Sequence, residues 1–263
     1  MNLAFETPFE WAYCVLTEEK PKNKVWLSIN GSCASLHISQ IPKKIKIPKR
    51  PKRPKHPILL NHRDMPKRSS GVKGRVALVH ALAHIELNAI DLAWDIILRF
   101  GAVMSNEAFL LDWISVARDE AQHFLLLEQR LSELGSSYGD LPAHDGLWEA
   151  AIKTSSDILD RLAIIPMMLE ARGIDSTPRV IERLKGAGDL RTCEILNQIY
   201  EDEINHLSTG VHWYEYVCNK RQIEPVSTWR ALVQEHLKTK PKEPINVDAR
   251  RRAHMKPEYW EKW

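Results

Sequence analysis

Several signals are missing from this 263-residue chain, and each absence excludes a class of protein. The four cysteines form no Cys-x-x-Cys pair, so neither a zinc knuckle nor a rubredoxin-type iron centre is encoded. The sequence also lacks a Gly-rich dinucleotide-binding fingerprint. No secretory signal and no run of 18 uncharged apolar residues is present, so we expect a cytoplasmic protein that does not insert into a membrane.

The most informative pattern is Asp-Glu-x-x-His, which occurs at residues 119–123 and again at residues 202–206. Each copy follows a lone glutamate at nearly the same interval. Between Glu86 and the first motif glutamate lie 33 residues, and between Glu170 and the second lie 32. Chance alone gives about 0.04 copies of this pattern in a chain of this composition. The duplication therefore indicates that both copies serve the same chemistry.

The spacing of apolar residues changes to a helical period from Val72 onward and predicts an all-α protein. Four long helices are expected at residues 73–100, 106–134, 146–172 and 189–219, of which the first three are closed by Gly101, Gly135 and Gly173. Shorter helices are expected at residues 8–16, 178–184 and 229–237, and a strand pair at residues 25–38 around Asn30-Gly31.

This pattern divides the chain into three parts. Residues 1–71 form an N-terminal extension with a basic, Pro-rich arm, residues 72–220 form a four-helix bundle, and residues 221–263 form a short helix and tail.

Between Lys43 and Arg75 there are thirteen Lys or Arg and one acidic residue, Asp64, so the remainder of the chain is acidic on balance. The prolines at residues 42–66 exclude helix and central strand there. We favour a strap over the acidic bundle surface and leave RNA binding through this arm open.

Each of the four glutamates occupies an apolar helical stripe. Ionised carboxylates in such places require counter-charge, and no Lys or Arg shares their faces. Two divalent metal ions would neutralise four carboxylates, and oxygen with imidazole ligands suits iron or manganese. The predicted ligands, whose four glutamates are also the predicted catalytic residues, are Glu86, Glu120, His123, Glu170, Glu203 and His206.

Three neighbouring residues are predicted to support these ligands. Asp119 and Asp202 each lie one turn before a motif histidine and could accept the proton of its non-ligating ring nitrogen. Tyr200 lies one turn before Glu203, where it is either a redox-active phenol or, as we favour, a core aromatic with a bonded hydroxyl. His80 and His84 form a His-x-x-x-His pair, but His84 lies about 200° round the helix from Glu86 and faces away from the ligands, so we favour a capped or surface histidine over a second metal site.

Residues 73–219 resemble the ferritin-like di-iron carboxylate superfamily, through Glu86, Glu170 and the two Glu-x-x-His motifs. Within it, residues 84–87, 118–124 and 169–178 resemble a bacterial ferritin-like family of unassigned function, with a more distant likeness to the tRNA hydroxylase that acts on modified adenosine. The resemblance implies a ferritin-like bundle in which the four glutamates ligate two irons and each motif histidine binds one.

The chain departs from better-known members at informative positions. Ribonucleotide reductase subunits carry a Tyr four residues after the first motif histidine, where this chain has Leu127. Multicomponent monooxygenases carry a Thr four residues after the third-helix glutamate, where this chain has Ile174. These differences argue against radical storage and against that monooxygenase type.

The expected function is a non-haem di-iron oxidoreductase that activates O2 and oxidises or hydroxylates an unknown organic substrate. An external electron-donor protein is expected, because the chain encodes no redox cofactor site of its own beyond the metals. Two alternatives stay open: a ferritin-like metal-handling or peroxide-scavenging protein, and a tRNA-modifying hydroxylase. Whether the protein is an enzyme and whether it forms a homodimer are left open at this stage.

Overall fold

The computed structural model describes residues 3–36, 41–261 and 263. The described residues are predominantly helical, which confirms the all-α expectation. The chain forms two compact units, Met1–Trp148 and Glu149–Trp263, and the division falls inside a helix. The predicted boundaries at residues 71 and 220 stay predictions.

The first unit is built around two long helices that pack against each other, α3 and α4. Its elements are β1 (Leu3–Phe5), α1 (Pro8–Thr17), α2 (Pro21–Asn30), β2 (Gly31–Cys33), a 3-10 turn (His62–Asp64), α3 (Val72–Met104), α4 (Glu107–Glu133) and the start of α5 (Gly146–Lys153). The strands β1 and β2 pair in parallel, with Leu3 opposite Gly31. The helix predicted at residues 8–16 is confirmed.

Helix α3 continues beyond its predicted end at Phe100. It ends at Met104, where Ser105 adopts the left-handed conformation with φ 47°. A Cβ on Gly101 would lie 2.8 Å from Leu110 Cδ2 and 3.0 Å from Phe9 Cε1. Gly101 therefore permits close packing within the first unit, and it does not close the helix.

The strand pair predicted at residues 25–38 is wrong. Residues 21–30 form α2, and Ile38 lies outside the described residues. The apolar alternation was misleading because α2 buries polar side chains, Lys24 and Ser28, while Trp26 is 44% exposed. Proline at the first position of α2 suits a helix start, since its missing N–H needs no partner there.

The buried polar side chains of α2 have partners on α3. Lys24 forms an ion pair with Asp91, and both side chains are almost completely buried. Ser28 Oγ donates to the carbonyl of Lys24 at 2.9 Å and accepts from Trp94 Nε1 at 2.9 Å. Burial lowers the pKa of Lys24 and raises that of Asp91, so their mutual attraction has to offset the loss of water.

The basic arm contains no α-helix, as predicted, although His62–Asp64 form a 3-10 turn, and it contacts α1 and α3. Lys52 N donates to Leu16 O at 2.8 Å, and Arg53 donates to the side-chain oxygen of Asn88. Arg53 also lies 3.6 Å from Asp145, to which Arg50 is paired. These contacts support the interpretation of the arm as a strap over acidic groups.

The second unit contains shorter and more interrupted helices. It comprises the end of α5, α6 (Ile158–Ile164), a π-helical turn (Ile165–Glu170), α7 (Ala171–Gly186), α8 (Leu190–Arg221), α9 (Pro225–Leu237), α10 (Val247–Arg252) and a 3-10 turn (Pro257–Tyr259). Helix α8 agrees with the predicted fourth helix, and α9 begins four residues before its predicted start, after the Glu224 cap.

The third predicted helix, residues 146–172, is not continuous. The chain leaves the helix after Lys153, and Asp157 starts α6 by accepting from Leu159 N at 2.7 Å. Helix α7 then runs through Gly173 and Pro178, where a stop and a separate helix were expected. Proline is tolerated there because the carbonyl of Ile174, one turn earlier, lies 3.4 Å from the Asn246 amide nitrogen, which donates to it.

The C-terminal tail is fastened to α7 by a buried ion pair. Arg250 Nε and Nη2 donate to the two oxygens of Asp175 at 3.0 and 2.7 Å. The backbone N–H of Asn246 donates to the same carboxylate at 2.9 Å. Because Arg250 is 1% exposed, the tail is part of the packed second unit and not a loose basic end.

Helix α3 is long and apolar enough to cross a membrane by length and composition alone. However, 78% of its most apolar window is buried inside the protein. This burial fits the core helix of a soluble protein, and cytoplasmic location stays a prediction.

We expect Asp91→Asn to lower the free energy of unfolding by about 3 kcal/mol, because it leaves the buried charge of Lys24 without its partner. Urea denaturation measures the change. Asp64→Asn is the control, since Asp64 is exposed on the arm and should change stability by less than about 0.5 kcal/mol. The paired replacement Lys24→Met with Asp91→Leu should recover most of the loss, and equal losses in the single and paired variants would contradict this account.

Candidate metal centre

Three predicted ligands come together in the first unit. Helix α3 supplies Glu86, and α4 supplies Glu120 and His123 from one face, three residues apart. They are 4%, 1% and 1% exposed, respectively. The apolar stripe predicted around them is confirmed by buried neighbours, among them Val79, Ala83, Ile90, Val116, Ala117 and Phe124. These three residues are called the first ligand set.

The first ligand set converges on a single imidazole nitrogen. His123 Nδ1 lies 3.3 Å from Glu86 Oε2 and 3.4 Å from Glu120 Oε2. One ring nitrogen can donate only one hydrogen, so it cannot satisfy two carboxylates at once. The three ligand atoms lie within 4.8 Å of one another and could hold a metal ion. The donor types, two carboxylate oxygens and an imidazole nitrogen, fit iron or manganese.

The electrostatics of the first ligand set also favour a bound cation. Burial and then the charge of Glu120 raise the pKa of Glu86 well above its usual range. For His123, burial lowers the pKa, but the hydrogen bonds and charges of Glu120 and Glu86 outweigh it and raise the pKa to about 11. The two carboxylates therefore retain a proton on or beside the imidazole unless another cation replaces it.

The other three predicted ligands, Glu170, Glu203 and His206, belong to the second unit and are called the second ligand set. Glu203 and His206 lie three residues apart on α8, with His206 Nδ1 3.7 Å from Glu203 Oε2. His206 is 2% exposed and the Glu203 side chain 17%. Glu170 is half-buried and is the last residue of the π-helical turn that precedes α7. The roles of these three residues as ligands stay predictions.

The π-helical turn sets the position of Glu170. It begins at Ile165, Pro166 is its second residue, and the Ala171 N–H closes it on Pro166 O across five residues. Helix α8 approaches this turn closely, since a Cβ on Gly210 would lie 2.4 Å from Pro166 Cβ. Single π-helical turns inside helices are frequent at functional sites. Their extra residue rotates the side chains that follow, here Glu170.

The residues predicted to support the ligands are half-buried. The hydroxyl of Tyr200 accepts a hydrogen bond from Asn246 Nδ2 at 2.8 Å, which agrees with the favoured interpretation of a bonded aromatic residue. Asp119 and Asp202 are partly exposed, and their predicted bonds to the histidine rings stay predictions. Sequence reasoning missed Asn246 altogether. Its only local signal is helix capping, because its side chain accepts from Ala249 N at the start of α10.

Comparison with known proteins places the chain in a family. A family model described as "Protein of unknown function (DUF455)" matches residues 17–261. The chain belongs to the DUF455 family. It is also 42% identical over 203 residues to an "Uncharacterized protein" of Haemophilus influenzae, a match that covers 75% of this chain and 70% of that relative. No solved structure matches the chain significantly. The family match spans both ligand sets.

Two histidines in this DUF455 chain that could be mistaken for ligands have other partners. His84 Nε2 lies 3.1 Å from the carbonyl of His144, which can only accept, so Nδ1 accepts the Tyr138 hydroxyl at 2.8 Å. His80 Nε2 accepts from Gly139 N at 3.0 Å. Burial lowers the pKa of His84 to about 3 and also lowers that of His80. Of the two expected alternatives, a surface histidine is excluded because both are buried, and a histidine with its ring nitrogens hydrogen-bonded agrees with the structure.

Metal binding to this DUF455 protein should release protons and strengthen as the pH rises. A ligating imidazole must be neutral and a ligating carboxylate ionised, whereas the pKa values of His123 and Glu86 are raised without metal. The apparent affinity should therefore increase by up to about tenfold per pH unit for each proton released. Titration calorimetry with Mn²⁺ at pH 6, 7 and 8, in buffers of different ionisation enthalpy, measures both quantities. Affinity that is constant with pH and no proton release would contradict the account of the first ligand set.

Proposed function

We propose that this protein is a non-haem di-iron oxidoreductase of the ferritin-like type, in which each ligand set supplies the protein ligands of one iron ion. The observation that carries the proposal is the buried convergence of Glu86 and Glu120 on His123 Nδ1, at 3.3 and 3.4 Å. The same Glu-x-x-His spacing recurs on α8, preceded by Glu170.

A comparison of Glu86 with two other buried acids of this chain supports the need for a metal ion. Asp91 is paired with Lys24, and Asp175 with Arg250. For Glu86, in contrast, the strongest influences on its pKa are burial, Glu120 and His123, with no Lys or Arg among them. A pair of carboxylates and one imidazole leaves negative charge uncompensated in an apolar surrounding. A divalent cation supplies that charge directly.

The donor set limits which metal suits the site. Zinc in structural sites prefers cysteine and histidine, and calcium prefers six to eight oxygen atoms. Two carboxylates with one imidazole in each ligand set, and no thiolate, suit iron or manganese. We assign iron, with manganese as the alternative, because iron supplies the redox chemistry that activates O2 for oxidation of an organic substrate.

The chain's own residues would bind the metal ions and exclude water from them. The buried stripes of α3 and α4 exclude water from Glu86, Glu120 and His123. When a metal ion binds, Glu86 and His123 would lose their protons. The ionised carboxylate and the neutral imidazole could then act as ligands. Asp119 and Asp202 would fix the ring orientation of the motif histidines by accepting their second N–H. Electrons would come from an external donor protein.

We expect Glu120→Ala and His206→Ala each to lower iron from about two ions per chain to about one, because each removes a ligand of a different set. Elemental analysis of protein purified under identical conditions measures the ratio. Glu107→Ala on α4 and His212→Ala on α8 are matched controls, since both side chains are exposed on the same helices. Circular dichroism should give unchanged helix content in all four variants. Retention of two ions in both ligand variants would refute the assignment.

Oxidation of excess Fe(II) separates the oxidoreductase from a ferritin-like store. An oxidoreductase should consume O2 only until its two sites are oxidised and then stop without reductant, whereas a store continues and accumulates a mineral core. We therefore expect O2 uptake to saturate at about two Fe(II) per chain, measured with an oxygen electrode on the full-length protein. Uptake that continues to tens of Fe(II) per chain would favour the metal-handling alternative.

A further inference from the structure

The basic arm contains a tripeptide repeat. Neither the ligand sets nor the contacts of the arm with the first unit involve all of its residues. Residues 46–57 read Lys-Ile-Pro, Lys-Arg-Pro, Lys-Arg-Pro and Lys-His-Pro, so the pattern Lys-x-Pro occurs four times in succession. In the structure the lysines of the repeat are exposed, whereas its prolines are buried or half-buried. All the residues concerned belong to the first unit.

The prolines of the repeat are packed more closely than its lysines, and two middle residues, Arg50 and Arg53, have partners in the first unit. Pro51 and Pro57 are buried, and the other two prolines of the repeat are half-buried. At the middle position, Arg50 pairs with Asp145, and Arg53 bonds Asn88 and lies 4.0 Å from Asp91. The carbonyl of Lys49 accepts a hydrogen bond from Trp148 Nε1 at 3.2 Å. These contacts attach the repeat to the rest of the first unit.

The first position of the repeat faces solvent in every copy. The four lysines, here called the lysine row, are exposed, and within the described residues none of their side chains has a hydrogen-bond or ion-pair partner: Lys46, Lys49, Lys52 and Lys55. Arginine, which binds carboxylates through two parallel hydrogen bonds, is used where the arm contacts the protein. Lysine, a hydrated point charge, is used where the arm faces outward. The four lysine charges therefore form no ion pair within the part of the chain that the structure describes.

The lysine row is regularly spaced along the chain, with one lysine at every third residue. Three residues of extended chain separate neighbouring lysines by at most about 10 Å, so the row extends for up to about 30 Å. Between Lys46 and Lys55 no large apolar side chain among the described residues is exposed. Evenly spaced point charges, with no exposed large apolar side chain between them, match a polyanion that is bound through its phosphate backbone.

We propose that the lysine row binds the phosphate backbone of a nucleic acid without reading its sequence. An anionic membrane is the competing partner, because Ile58, Leu59 and Leu60 follow the row and are 56%, 41% and 43% exposed. Those residues lie beyond the row, and backbone hydrogen bonds join Ile58 and Leu60 to Ala143. The inference is independent of the proposed oxidoreductase activity, since neither ligand set is involved.

The test measures binding of a fluorescently labelled 20-nucleotide single-stranded RNA to the full-length protein between 50 and 200 mM KCl. Four phosphate contacts should contribute about −2.8 to the slope of log affinity against log salt, or about a 50-fold loss across this range. Lys52→Ala should reduce the slope by about 0.7, and replacement of all four lysines by alanine should reduce it by about 2.8. Replacement of all four by arginine should retain the slope.

The matched control removes the same charge elsewhere. Four exposed lysines of the second unit serve for this variant, each changed to alanine: Lys153, Lys185, Lys240 and Lys242. Its slope should equal that of the unchanged protein. The proposal is overturned if the unchanged protein does not bind RNA at 50 mM KCl, or if the lysine-row and control variants lose affinity equally. It is also overturned if the protein binds vesicles containing phosphatidylserine but not RNA.

Discussion

The cost of burying ionised carboxylates governs this structure. A buried ionised carboxylate needs a cation or hydrogen-bond donors, because the apolar interior cannot replace the water that an exposed carboxylate would have. The chain meets this need with its own side chains at Asp91, where Lys24 is the partner, and at Asp175, where Arg250 is. For Glu86 and Glu120 it provides only His123. The pKa values of Glu86 and His123 are both raised, because one imidazole does not balance two buried carboxylates. These three residues could hold a metal ion, which would supply the partner charge.

The buried ion pairs also connect the candidate site to distant parts of the chain. Asp175 lies five residues after Glu170, and its partner Arg250 belongs to the C-terminal tail. Asn246, in the same tail, donates to Tyr200, one turn before Glu203 on α8. The tail therefore fixes the backbone beside two predicted ligands of the second unit. A segment that reads as a basic, Pro-rich end is thus a structural support.

Residues with regular local periods were predictable from the sequence. The long helices α3, α4 and α8 follow from apolar spacing, and the positions of Glu86, Glu120 and His123 in apolar stripes follow from the same spacing. Helix α2 was missed because its buried face carries Lys24 and Ser28, whose partners are on α3. The break after Lys153 and the π-helical turn were missed for a related reason. Their stability depends on distant groups, such as Trp229, which donates to Ala163 O at 3.0 Å.

The sequence by itself determined that the protein is helical and that carboxylates and imidazoles recur at metal-ligand spacing, because both properties are periodic along one helix. Only the tertiary structure decided which nitrogen faces which oxygen, with His123 Nδ1 between two glutamates. It also decided that Arg50 and Arg53 are used by the strap while Lys52 faces solvent, a distinction absent from the charge count. The physical reason is the same in both cases: a charge is placed by its partner, and the partner is far away in the sequence.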